Sequence, residues 1–436
     1  MSEESTKEIT LEINEVLGHL RSPESKPSIF KVDDHLRTAG RDNDYDPEVL
    51  AIGPFHHGKS RLQSMNHYKF WYLKQLLSRR NETVERYVIA MAGMEERARR
   101  CYAEPVDLDG HNFIKMMVLD GCFLIELLRY HSLKDLRVAN DPIFKNERNL
   151  SQLRHDIMLL ENQPFFVLNQ LFNMTKIEDS RDDIIGLTLC FIDGMFLNTS
   201  VSKVYQKLPT QNIDHLCSLI HEICCLPFAG TILHKNVGSN ACQNWESIHS
   251  ISRLQEVGIR SIKVEGTSGF MDITFENGVL RIPPLNIFDE TESQFRNLIA
   301  YEQYMTDCEA RYVSDYTFFM NCLINTPKDV RLLRNYGIIG NWLGDDKEIC
   351  EMFNRLGKNI LTSTKFSYSH IFNAVNWEFQ RRSNSWVIKL RRNYFGSPWS
   401  IISLLAAVAL LILTLLQTLY TILSYYNHMG KAQQFS

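Results

Sequence analysis

The residues best spaced for chemistry lie at Gly53-Pro-Phe-His-His-Gly58-Lys59-Ser60, which satisfies the phosphate-loop pattern G-x-x-x-x-G-K-[ST]. In such a loop the glycines let backbone N–H groups curl around phosphates, the lysine reaches the outer phosphates and the hydroxyl binds Mg²⁺. An extended Val49–Ile52 precedes it, a helix follows, and Asp120 could serve as the acidic strand end. Three features count against this use. Pro54 has no N–H to give, Phe55, His56 and His57 add bulk where close approach is needed, and Asp120 sits in a run that reads as a helix. No series of alternating strands and helices supplies the parallel sheet that such loops belong to. Nucleotide binding through Gly53, Gly58, Lys59 and Ser60 is therefore carried as the alternative reading.

His56 and His57 have acid–base and metal-ligand chemistry, but adjacent histidines at a loop-to-helix junction are expected to hydrogen-bond the helix end. Asp120, Asp156 and Glu161 offer carboxylates for paired acid–base work, without a nucleophile or sugar-binding signature beside them. Glu161-Asn162-Gln163 follows an apolar helix and precedes Pro164, a place where polar side chains satisfy exposed helix-end groups. Asp214, Cys217, His221 and Cys225 share one helical face and have zinc-ligand types, but their spacing is that of no usual zinc module. No metal, other cofactor or catalytic residue is assigned on this evidence.

These residues sit in a chain whose far end is dominated by the uncharged run Trp399 to Leu423. As a helix it would reach roughly 37 Å, more than the ~30 Å hydrocarbon core of a bilayer. Arg381, Arg382, Lys389, Arg391 and Arg392 precede it and only Lys431 follows, which places the upstream side in the cytosol. Residues 1–20 carry five glutamates and no basic start or compact apolar core of a signal peptide. A cytosolic body on a single-pass anchor is expected, the C-terminus lying on the far side. The length of the run favours the thicker plasma membrane. Thr414, Gln417, Thr418 and Thr421 form a polar stripe on the anchor that could hydrogen-bond a second helix, so homo-oligomerisation through the anchor stays open.

The body has ordinary globular composition, 44% hydrophobic and 22% charged, and a formal charge of -4 gives no general attraction to nucleic acid. Its ten cysteines are scattered without a Cys-x-x-Cys pair, as expected of reduced cytosolic thiols. Asn81-Glu-Thr83, Asn149-Leu-Ser151, Asn173-Met-Thr175 and Asn198-Thr-Ser200 are formal glycosylation acceptors, taken as chance matches in a body that stays in the cytosol.

Apolar periodicity predicts an amphipathic helix over 6–20, then a linker over 22–28. A helix follows the 53–60 loop, a buried helix covers 113–128, and Asp156 to Phe172 is helical with a break at Glu161–Pro164. Alternation about Asn277-Gly278 predicts a small antiparallel β insertion over about 259–282, closed by Pro283-Pro284. Thr291-x-x-Gln294 is expected to cap a helix, and further helices cover 312–323, 328–336 and 346–356. The fold class is mainly α with that β insertion and one C-terminal transmembrane helix. Its parts are 1–28 (helix and linker), 29–392 (body), 399–423 (anchor) and 424–436 (tail).

Several segments in combination resemble the plant domain of unknown function 247 family. They are Tyr45-Asp-Pro, Ile52-Gly-Pro-Phe-His-His-Gly58, Leu119-Asp-Gly-Cys-Phe123, Asp156-x-x-x-Leu160-Glu-Asn-Gln-Pro-Phe165, Phe295-Arg-Asn-Leu-Ile-Ala-Tyr-Glu-Gln303, Leu323-Ile-Asn-Thr326, Asn341-Trp-Leu-Gly344 and Tyr394-Phe-x-x-Pro-Trp399. The resemblance covers roughly Ile29 to Tyr426; Asp33 stands where the family often has proline. It implies a plant protein with a C-terminal anchor and no known reaction, some members being implicated in self-incompatibility and reproductive development. It also makes His56, His57, Asp120, Asp156, Glu161, Asn162, Gln163 and Pro164 motif residues of structural type. The expected function is thus a non-enzymatic, membrane-anchored signalling or recognition component that binds an unidentified protein partner.

Overall fold

The computed structural model describes residues 3–19, 27–38, 44–139, 141–163, 165–193, 215–236, 245–265, 269–305, 310–383 and 398–433. The chain is mainly helical, as its periodicity predicts. In order the helices are α1 (Glu3–His19), α2 (Asp34–Arg37), α3 (Ser64–Arg80), α4 (Glu85–Ala92), α5 (Glu95–Arg100), α6 (Gly110–Ser132), α7 (Glu147–Met158), α8 (Phe165–Thr175) and α9 (Ile184–Ile192). Then come α10 (Leu216–Asn236), α11 (Ile251–Glu256), α12 (Thr291–Tyr304), α13 (Tyr312–Leu323), α14 (Pro327–Asn335), α15 (Asp346–Leu356), α16 (Ser369–Ser383) and α17 (Pro398–Gln433).

Among the described residues, two buried helices gather the others. Phe113, Met116, Met117, Phe123, Ile125 and Leu127 leave α6 with almost no polar face, and α3, α4, α5, α8 and α9 pack around it. Asp109 caps its start by accepting the Asn112 N–H at 2.7 Å. The second is α12, covered by α7, α10, α13 and α15. Its first twelve residues, Thr291 to Glu302, are all buried, polar ones included. That many buried polar groups must each find a partner, and those partners build the site described below.

The β structure differs from the expected antiparallel insertion. Strands β1 (Arg260–Lys263), β2 (Thr274–Glu276) and β3 (Val279–Ile282) form a mixed sheet in the order β1-β3-β2. Asn277 and Gly278 turn the β2–β3 hairpin with φ of 52° and 72°, the left-handed pair that a two-residue turn requires. Strand β1 instead joins β3 in parallel, Arg260 opposite Val279. Alternation reveals a strand but not the direction of its neighbour. Pro283-Pro284 does end this sheet, and β4 (Leu285–Ile287) beyond it belongs to a second sheet, pairing in parallel with β5 (Ile339–Asn341). Thr291 does not cap α12: its hydroxyl faces backwards and accepts the Phe288 N–H at 2.8 Å.

The long helix α17 contains Leu405–Ser424, a stretch apolar and long enough to cross a membrane, none of it buried against the rest of the protein. It runs past Leu423 to Gln433, so most of the expected tail is helical. The linker residues 22–26 and the basic residues 389–392 lie outside the described residues.

Candidate functional site

The motif residues meet around one segment of turns and irregular backbone, Asp44 to Lys59, which crosses α6, the α7–α8 turn and α12. Residues 49–52 belong to no helix or strand, so side chains must satisfy their backbone. Asp156, at the end of α7, accepts the N–H groups of Glu48, Val49 and Leu50 at 2.7–2.8 Å. Asn162 accepts from the Ile52 N–H at 2.5 Å and donates to the Leu50 and Asp156 carbonyls. Asp120 of α6 accepts the Gly53 N–H at 2.8 Å and pairs with Lys69 of α3 at 2.5 Å; Lys69 also donates to the Ala51 carbonyl. From α12, Ser293 and Asn297 both donate to the Asp44 carbonyl, at 2.7 and 2.9 Å. A ladder is thus made by side chains where a sheet would make it by backbone.

Glu161 and Gln163 extend the same arrangement. Glu161 accepts the Val32 N–H at 2.7 Å and Arg37 at 2.5 Å, and its other oxygen lies 2.9 Å from His56 Nε2. Burial alone would raise this carboxyl, but His56, the Val32 N–H and the Arg37 charge outweigh it and hold the group below its ordinary value. Gln163 donates to the carbonyls of Ile157 and Leu159 and accepts the Leu216 N–H, closing the broken end of α7. Pro164 lies outside the described residues.

The three carboxylates Asp120, Asp156 and Glu161 therefore serve separate donors. His56 is buried and His57 exposed. Lys59 turns back onto His56 Nδ1 at 2.8 Å and Asp46 at 3.3 Å. In the phosphate-loop pattern, the Gly53 N–H is given to Asp120, the His57 N–H to the Pro54 carbonyl, and Ser60 opens a short 3-10 turn, Ser60–Leu62. Gly53 and Gly58 both have positive φ, 74° and 82°. At Gly53 an added Cβ would stand 2.9 Å from the Tyr102 hydroxyl, so the glycine is needed for packing against Tyr102.

Sequence reasoning did not reach Lys69 or Ser293, and met Asn297 only as a member of the Phe295–Gln303 motif. A lysine between Met65 and Tyr72 on the apolar face of α3 is the signal that could have singled out Lys69. Ser293, His155 and Asp156 also line up, Oγ to Nε2 at 3.0 Å and Nδ1 to Oδ1 at 3.1 Å, in the order of an acyl-transfer relay. Here the Ser293 hydroxyl is given to the Asp44 carbonyl. Asp156, 0% exposed, also carries the three N–H groups above, which makes the line a fastening for the segment.

Among the described residues, two groups have metal-ligand types with their ligand atoms within 4.8 Å of one another: His221, Cys225 and Glu302, and Asp46, His56 and Glu161. In the first, Glu302 already accepts from His221, the Val313 N–H and both the N–H and hydroxyl of Ser314, capping α13. Cys217, expected on the same face, points its thiol to the Asn297 carbonyl, and Asp214 lies outside the described residues. In the second group Arg37 and Lys59 provide the positive charge.

Comparison with known proteins agrees with the motifs. A family model described as a plant protein of unknown function matches residues 29–413. UPF0481 protein At3g47200 of Arabidopsis thaliana is 32% identical over 407 residues, covering 88% of this chain and 84% of the relative. Putative UPF0481 protein At3g02645 of the same plant is 24% identical over 482 residues, covering 89% of each. No solved structure matches the chain.

Proposed function

Because the chain belongs to the plant domain of unknown function 247 family, we propose that it acts as a membrane-anchored, non-enzymatic recognition or signalling component. Its helical body is held on the cytosolic side, preferably of the plasma membrane, and binds a protein partner. The observation that carries the anchor is the span Leu405–Ser424, uncharged and with no residue buried against the body. A soluble helix of that composition would cost exposed apolar surface along its whole length; a bilayer removes the cost. Arg381, Arg382 and the basic residues up to Arg392 support the orientation. The non-enzymatic reading is supported by the buried motif residues His56, Asp120, Asp156, Glu161 and Asn162, whose polar groups are spent on backbone and on one another.

The test is fractionation of the full chain expressed in plant cells. The anchor requires that it stay in membranes through an alkaline carbonate wash; release into the supernatant rejects it. Asn81, Asn149 and Asn173 are exposed, so a body in the secretory lumen would gain endoglycosidase-sensitive glycans, whereas a cytosolic body gains none. Proximity labelling from the same chain then tests recognition: a partner set no different from that of the anchor alone counts against it.

A further inference from the structure

The Ser, Thr and Gln residues of the span are not scattered. Ser403, Ala407, Thr414, Gln417, Thr421 and Ser424 fall on one line of α17, with Leu410 completing steps of alternately four and three residues. Between Leu404 and Leu423 the positions off this line are Leu, Ile, Val or Ala, apart from Thr418 beside it and Tyr420. A repeat of 3.5 residues is the seam of a left-handed helix pair, and small side chains along a seam let two backbones approach.

The hydrogen bonds single out one residue. Thr414, Thr418 and Thr421 donate their hydroxyls to the carbonyls of Leu410, Thr414 and Gln417, at 2.6, 2.8 and 2.8 Å, so their protons are satisfied within the helix. The Gln417 amide has no hydrogen-bond partner among the described residues, and it lies well inside the span rather than at its ends. An amide in hydrocarbon without a partner is costly. Its carbonyl accepts and its NH₂ donates, so two copies of the same amide facing across a two-fold axis satisfy each other.

We infer that the anchor pairs two copies of this chain in the membrane, in parallel and left-handed, along the seam from Ser403 to Ser424 with Gln417 bonded to Gln417 of the second copy. This rests on the membrane reading above, and the two fail in different ways. The second copy is favoured over another protein's helix because the seam is self-complementary at its one unpartnered amide.

The test uses the full chain, in two differently tagged forms co-expressed in membranes. The sequence has no cysteine after Cys350, so a cysteine placed in the span reports there alone, above the background of the unsubstituted chain. Under a membrane-permeant oxidant, Ser403→Cys and Ser424→Cys should give disulfide dimers carrying both tags, whereas Leu405→Cys and Leu419→Cys, on the opposite face, should stay at background. Gln417→Leu should lower mixed-tag recovery by about 3-fold to 30-fold, while Leu416→Ala leaves it unchanged. Release by carbonate would sink the anchor itself. Retention with equal cross-linking on both faces, cross-linking at background, or cross-links to another protein only, would overturn the pairing and leave the anchor standing.

Discussion

Arg129 and Asp182 meet as a two-pronged pair inside the protein, Nε to Oδ1 and Nη2 to Oδ2, each at 2.8 Å and both side chains 0% exposed. Thr175 accepts a further Arg129 proton at 3.1 Å, and Glu126 at 3.2 Å. Glu126 is in turn gripped by Arg79 with two bonds of 2.6 Å. The network ties α3, α6, α8 and the approach to α9 together.

Removing Asp182 leaves the buried Arg129 with only the Glu126 carboxylate that Arg79 already holds. Asp182→Ala should lower unfolding stability by about 3–5 kcal/mol, while replacing both residues together, Arg129→Met with Asp182→Leu, should cost much less. Denaturant unfolding of the full chain in detergent measures both; equal losses in the single and double variants would reject the account.

Asp156 should be the most sensitive of the motif carboxylates. With Asp156→Ala the N–H groups of Glu48, Val49 and Leu50 lose their acceptor together. The orphan at Leu50, which is buried, costs about 1–3 kcal/mol, and those at Glu48 and Val49, closer to solvent, cost less. Hydrogen exchange should show these three amides unprotected, and protection kept in the variant would mean that another acceptor suffices.

Gly53 and Lys59 separate a packing role from a phosphate-binding one. Gly53→Ala forces a left-handed backbone on alanine and crowds the Tyr102 hydroxyl, which should cost at least about 2 kcal/mol. Lys59, 40% exposed in its pair with Asp46, should change stability by less than about 1 kcal/mol on conversion to alanine. Titration of ATP or GTP with Mg²⁺ should give no saturable heat in either the parent or Lys59→Ala; binding abolished by that substitution would restore the nucleotide reading.

Ser293 should not behave as a nucleophile. Its hydroxyl is committed to the Asp44 carbonyl at 2.7 Å. A fluorophosphonate probe should leave the folded chain unlabelled, and labelling lost in both Ser293→Ala and His155→Gln would show that the relay works.

Asp315 gives the pH dependence a definite sign. It accepts four hydrogen bonds from the N–H and hydroxyl groups of Ser363 and Ser367, yet burial outweighs them and pushes it from 3.8 up to about 6. Between those values the folded chain holds a proton that the unfolded chain releases. Its contribution to stability should therefore grow as pH falls from 7 towards 4, by about 3 kcal/mol in all. Glu161 works the other way, its stabilisation being lost as acid protonates it. Comparing Asp315→Asn with the parent across this range isolates the effect, and parallel curves would refute it.

The sequence carried the helices well because their signal is local. Periodicity places α13 and α15 at their observed ends and finds α6 three to four residues short at each end, and Asn277-Gly278 announces its hairpin. What it does not carry is partnership over distance. Arg129 reads as one charge in an apolar helix, and nothing nearby names Asp182. The direction of β1 against β3 depends on strand order, which alternation does not encode. At the candidate site, Glu161-Asn162-Gln163 is recognisable as polar chemistry at a helix end, whereas the groups it serves at Val32, Ile52 and Leu216 come from far along the chain.

The segment from Asp44 to Gly53 also sets a schedule. It leaves the ribosome early, but Ser293, which receives Asp44, is 249 residues further along the chain. At about 5–20 residues per second, synthesis alone delays that contact by roughly 12–50 seconds. Until then Leu50 and Ile52, both 0% exposed in the finished protein, have no complete binding place. The last closure of the body must wait for α12, and during that interval the nascent chain presents an apolar stretch that chaperones can hold.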